Sequence, residues 1–151
     1  MKQLFFLSIV FTFLSISFTS AQVAKNININ VELNEFSKAY NKKLVHKKSH
    51  LSFQIKGENL VISHINIGPN LDKYLTLKNI TKITSYNSKS GNTPYGIKIK
   101  TLPASLKRTP NGEAFNANYQ TNGFSSKNDA KYFIEQLKKI ISKSEKALRI
   151  K

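Results

Sequence analysis

Apolar and polar positions are most regularly ordered near the end of the chain. Ala130, Phe133, Ile134, Leu137, Ile140, Ile141 and Leu148 recur at three- and four-residue spacings, the pattern of one helical face. Lys131, Glu135, Lys138, Lys139, Lys143 and Lys146 fall off that face. Ser126 stands at the N-cap position with Asp129 three residues on, a capping-box-like start. The spacing predicts a single amphipathic helix over 126–148, whose apolar stripe needs a surface to cover.

The preceding chain supplies that surface as strands. Ile27, Ile29, Val31 and Leu33 alternate with Asn28, Asn30 and Glu32 and predict a first strand. Phe36, Ala39, Tyr40 and Leu44 fit a short helix, followed by a basic connection over 45–49. Leu51, Phe53 and Ile55 alternate with polar residues as a second strand. A hairpin turn at Gly57-Glu58-Asn59 returns the chain as a third over 60–67, which Gly68-Pro69-Asn70 breaks. Segments 74–77 and 80–86 read as two more strands around Lys78-Asn79, and 87–94 as an exposed loop. Tyr95, Ile97 and Ile99 mark a sixth strand. Residues 102–113, with two prolines and an Asn111-Gly112 turn, form the longest irregular connection. Phe115, Ala117, Tyr119 and Thr121 mark a seventh strand, and Asn122-Gly123 turns the chain into the closing helix.

Antiparallel hairpins followed by one helix define an α+β domain: an antiparallel sheet or small barrel of about seven strands closed by one C-terminal amphipathic helix. Residues 27–148 resemble the pleckstrin-homology-like (PH-like) barrel. The Leu75-Thr76-Leu77-Lys78-Asn79-Ile80 stretch and the 126–148 helix carry most of the likeness, which lies in order and pattern without a diagnostic motif. The resemblance implies a barrel that binds peptides, proteins or lipid headgroups rather than one that catalyses a reaction.

The first residues are read as an export signal and set apart from the fold. Lys2 gives a positive start, Leu4 to Phe18 is an apolar run, and Thr19-Ser20-Ala21 offers small residues for cleavage before Gln22. The run is shorter than the roughly 20 residues of a spanning helix. The expectation is a cleaved signal peptide, 1–21, a single domain, 22–151, and export through the general secretory route to the periplasm, the outer envelope or the medium. The chain has no cysteine, which excludes disulfides, thiolate chemistry and lipid attachment at a lipobox cysteine. Packing alone must hold the domain together.

Charge alters this picture. Lys+Arg number 24 against 8 Asp+Glu, a net charge of +16, which draws a protein toward anionic polymers and membranes. Arg108 and Arg149 are the only arginines, so bidentate phosphate recognition is nearly missing and nucleic acid is disfavoured as a partner. Abundant lysine and asparagine are also what an AT-rich genome favours, and a solvated basic surface is the preferred reading of the excess over a functional polyanion site. The distribution is uneven: no acid lies between Glu35 and Glu58 or between Asp72 and Glu113. The candidate polyanion-binding residues are therefore Lys42, Lys43, Lys47, Lys48, Lys98, Lys100, Lys107 and Arg108. Tyr40, Tyr74, Tyr86 and Tyr95 are candidate rings beside them.

Catalytic signals are sparse. His46 and His50 have helical metal-ligand spacing, but Lys47 and Lys48 lie between them and no acidic ligand is near. His64 stands apart from both. Glu32, Glu35, Asp72 and Glu113 are dispersed, with nothing singling out a glycosidase-like pair. Nucleophile elbow, P-loop and dinucleotide fingerprint are all missing. The sequence thus predicts no metal, no cofactor and no catalytic residues. The leading expectation is a non-catalytic interaction module for an envelope or extracellular protein or peptide. The alternative is an electrostatic binder of lipopolysaccharide, acidic lipid or acidic polysaccharide, and a small hydrolase ranks third. Nothing in the sequence specifies an oligomeric state.

Overall fold

Residues 28–43 are helical (α1) in the computed structural model, where the alternation from Ile27 to Leu33 predicts a strand. Ile29, Leu33, Phe36, Tyr40 and Leu44 also recur at spacings of three and four, and all five are buried. Val31, which a strand would place beside Ile29 and Leu33, is 57% exposed. The helical stripe prevails because it continues through four turns, whereas the alternation stops at Leu33. The short helix expected from Phe36 to Leu44 is the second half of α1.

The structure describes residues 28–45, 50–65, 72–87, 91, 93–102, 107–108, 114–115 and 118–148. The expected signal peptide lies outside them. After α1 come β1 (His50–Lys56), β2 (Asn59–Ile65), β3 (Lys73–Thr76), a 3-10 turn (Leu77–Asn79) and β4 (Ile80–Asn87). Then follow β5 (Tyr95–Thr101), β6 (Lys107–Arg108), β7 (Ala114–Phe115), β8 (Tyr119–Phe124) and α2 (Lys127–Leu148). The expected seventh strand is thus divided between β7 and β8. The β1–β2 hairpin turns at Gly57, whose φ of +58° is open to glycine without steric cost.

The architecture is α+β, as expected, with the strands in two sheets. One has the order β1-β2-β3-β7-β6, the other β4-β5-β8. All pairings are antiparallel except β3 with β7. Among the described residues no pairing joins the two sheets, so of the two expected alternatives, open sheet or small barrel, the strands do not close into a barrel. Alternation sends Leu51, Phe53, Ile55, Leu60 and Ile62 of one sheet and Ile83, Ile97, Ile99 and Tyr119 of the other into a single core with both helices.

Helix α1 does more than cover that core. It runs antiparallel to β1, the edge of the five-stranded sheet, and bonds the backbone groups that no strand pairs. Asn30 donates through Nδ2 to the Ile55 carbonyl (3.1 Å) and accepts at Oδ1 from the Ile55 N–H (2.7 Å). Asn41 does the same for Leu51, at 2.8 Å and 2.9 Å. Between them Ser37 Oγ accepts from the Phe53 N–H (3.1 Å) while donating to the Leu33 carbonyl (2.7 Å). A planar side-chain amide offers the same donor and acceptor pair as a peptide unit, so α1 substitutes for a missing strand.

An aromatic cluster then ties α1 to α2. Phe36 meets Phe53 and Phe133 edge-on at 5.0 and 5.7 Å, and Tyr40 meets Phe124 and Phe133 at 4.9 and 5.3 Å. Such geometry adds about 0.5–1.5 kcal/mol per pair beyond burial. At the start of α2, Ser126 Oγ accepts from the N–H groups of Asn128 (3.2 Å) and Asp129 (3.3 Å), the expected N-cap. Leu44, at the end of α1, sits against Gly123 so closely that an added Cβ would stand 2.5 Å from Leu44 Cδ2, and the Val45 N–H donates to the Gly123 carbonyl (2.9 Å).

Two stability effects are expected. Asn41→Ala leaves the Leu51 N–H and carbonyl unpaired and should lower the unfolding free energy by about 1–3 kcal/mol in urea titration. Gly123→Ala should cost about 1–3 kcal/mol in the same measurement, through displacement of Leu44.

Candidate functional site

Among the described residues, the lysines singled out in the sequence stand on several elements. Lys42 and Lys43 stand in the last turn of α1, where positive charge complements the helix dipole. Lys43 Nζ lies 3.6 Å from the Asp129 carboxylate at the start of α2, so this candidate has an acidic partner. Lys47 and Lys48 lie outside the described residues. Lys98 and Lys100 occupy the outer face of β5, opposite in direction to buried Ile97 and Ile99. Lys107 and Arg108 form β6, in the other sheet. Sequence reasoning missed Lys82, which pairs in register with Lys100, while Thr84 and Gln120 flank Lys98. The outer face of the three-stranded sheet therefore carries three lysines, two of them directly opposite one another. Like charges so placed are mutually unfavourable unless an anion covers them.

Of the candidate rings, Tyr40 is fully buried in the core, whereas Tyr74, Tyr86 and Tyr95 are half-buried. Among the described residues no three His, Asp or Glu side chains come together. His46 lies outside them. His50 and His64 alternate to opposite faces of the β1–β2 hairpin, His50 opposite Ile65 and His64 opposite Leu51. Glu32 binds Lys143 through both oxygens at 2.8 Å, and Glu35 binds Lys38 at 2.8 Å. Glu113 is outside the described residues, and Asp72 is half-buried just before β3.

One titratable group stands out at the inner end of the sheets. The His64 ring is 6.2 Å from that of Tyr119, and Lys73 Nζ lies 5.3 Å over the same tyrosine ring. Burial, reinforced by the Lys73 charge, lowers the His64 pKa. The Tyr119 and Tyr40 hydroxyls are enclosed in the core near Thr121. Burial raises both phenols well above their usual range, and the nearby Thr121 hydroxyl offsets only part of that.

Among the described residues, α2 borders a groove on each of two sides. The first, about 500 Å³, runs between α1 and α2 over Phe36, Phe133 and Ile140. The second, about 370 Å³, runs between β4 and α2. Ile80, Ile83 and Ile141 supply its apolar surface, and Lys82, Lys138 and Glu145 its charged groups. Strand β4 is an edge of its sheet, and its eight residues make it the longest strand described.

No protein-family model, curated protein or solved structure matches this chain.

Function must therefore be read from these surfaces. The sequence signals for β4 and α2 were separately visible as periodic stretches. Their juxtaposition was not, because it depends on which strand the sheet leaves at its edge. No described helix is long and apolar enough to cross a membrane.

The His64 environment sets a pH dependence. Its folded pKa lies below the ordinary value near 6.5, so the unfolded chain takes up the proton first as pH falls. The contribution of His64 to stability is thus present above about 6.5 and lost on acidification through the window down to the folded pKa. Urea midpoints should drop between about pH 7.5 and 5.5, and the drop should be smaller in His64→Gln.

Proposed function

We propose that this chain is an exported, non-catalytic interaction module of the cell envelope or medium, which takes an extended segment of a partner protein along β4. The observation that carries this reading is the contrast between two sheet edges. The β1 edge is sealed by Asn30, Ser37 and Asn41, whereas β4 lies at the edge of its sheet beside an open groove. An edge strand offers every second backbone N–H and carbonyl to an incoming strand, and an adjoining groove selects among side chains. The apolar surface of Ile80, Ile83 and Ile141 suits alternate apolar residues of the segment. Lys82 and the +16 net charge favour acidic residues between them.

A second reading has its own support. Lys82, Lys98 and Lys100 share the outer face of the three-stranded sheet, a surface suited to lipopolysaccharide, acidic lipid or acidic polysaccharide. Such binding would weaken steeply with salt, since exposed charges are screened over about 10 Å at 0.1 M.

Affinity capture from an envelope extract separates the two. With the tagged domain as bait, a discrete protein should survive a high-salt wash. It should be lost with Ser142→Tyr, which fills the β4–α2 groove from an exposed helix position, and kept with Lys98→Glu. Anionic lipid or polysaccharide released by salt, and lost with Lys98→Glu, would favour the second reading. A captured protein indifferent to Ser142→Tyr would refute the placement at β4.

A further inference from the structure

The groove between α1 and α2 has a charge pattern that the β4 groove lacks. Its α1 wall carries Glu32 and Glu35, and its α2 wall carries Lys139 and Lys143. The two helices are antiparallel, since Glu32 meets Lys143 near one end and Lys43 meets Asp129 near the other. Val31 on one wall and Tyr132 on the other are 57% and 58% exposed, although each is large and apolar enough to favour burial. The floor is Phe36, Phe133 and Ile140. We infer that this groove is the contact through which two copies of the chain associate, around a two-fold axis running along it.

The choice of a second copy follows from the symmetry. A two-fold axis along the groove sets α1 of one copy over α2 of the other, at the same height along the axis. Glu35 then faces Lys139 of the second copy, and the same contact recurs on the other side of the axis. An axis crossing the helices would instead set acid on acid and lysine on lysine, which is repulsive. The surface is therefore self-complementary in one arrangement and self-repelling in the other. Lys139 makes no ion pair among the described residues. Tyr132, lying edge-on to Phe133 at 5.2 Å, supplies the kind of ring enriched at interface cores. In the β4 groove, by contrast, the α2 wall holds both Lys138 and Glu145, so its two walls are not of opposite charge. The inference concerns a different face from the proposed β4 site and does not depend on it.

Sedimentation equilibrium on the chain recovered after export tests this directly. The parent chain should show a dimer mass at micromolar concentration. Tyr132→Asp, Glu35→Lys and Lys139→Glu should each weaken association about tenfold, and combining the two charge reversals should recover most of that loss. Thermal melts should remain close to the parent, because all three positions are exposed. A chain that stays monomeric through the micromolar range overturns the proposal. So does a dimer that is indifferent to Tyr132→Asp and to both reversals, since its contact would lie elsewhere.

Discussion

The exposed backbone of β1 is the constraint on which the arrangement of this domain rests. A seven-residue edge strand with Leu51, Phe53 and Ile55 on one face would otherwise recruit further strands. Two asparagines and a serine on α1 prevent this by bonding its free N–H and carbonyl groups. Those bonds fix the position and direction of α1 along the strand. Once α1 is fixed there, Phe36 and Tyr40 face Phe53 on one side and Phe133 on the other. Helix α2 is therefore packed against a helix as well as against strands, and the groove between the helices arises from the same contacts that seal the edge.

The two edges also separate two physical roles within one small chain. At β1 the hydrogen-bonding capacity of the backbone is satisfied internally and contributes to stability. At β4, an edge of its sheet among the described residues, a bulge between Ile80 and Lys82 with a lysine at the bend limits indiscriminate strand pairing. Charge is divided in a comparable way. Lys42, Lys43 and Asp129 complement helix ends, whereas Lys82, Lys98 and Lys100 lie on an outer sheet face. A count of lysines alone merges these two populations.

The α+β class followed from the order of elements, the closing helix with its Ser126 cap, β1 and β5 were legible because each has one clear periodicity, and β2 because a hairpin turn precedes it. The stretch from Ile27 to Leu33 was not, because two periods coincide there. Ile29 and Leu33 satisfy both, and only the continuation through Phe36, Tyr40 and Leu44 decides for a helix. Asn30 and Asn41 were equally hard to interpret, since they belong to an asparagine-rich composition and their partners are backbone groups of another element. The grooves were illegible for a related reason. Their walls join residues far apart in the chain, and no local pattern announces which surfaces a tertiary packing will leave open.

The close seat of Leu44 against Gly123, with Lys43 beside Asp129 and Phe36 against Phe133, has a consequence for how the chain acquires its fold. A polypeptide is made, and threaded through any narrow exit, from its N-terminus. The apolar stripe of α1 therefore emerges early, while the residues that cover it are among the last to appear. Its hydrogen bonds to β1 can form as soon as the hairpin is free, but its aromatic face must wait for β8 and α2. Until then the half-formed domain presents Phe36 and Tyr40 to its surroundings, so completion is governed by arrival of the final helix and truncation there should strand the chain in an adhesive state.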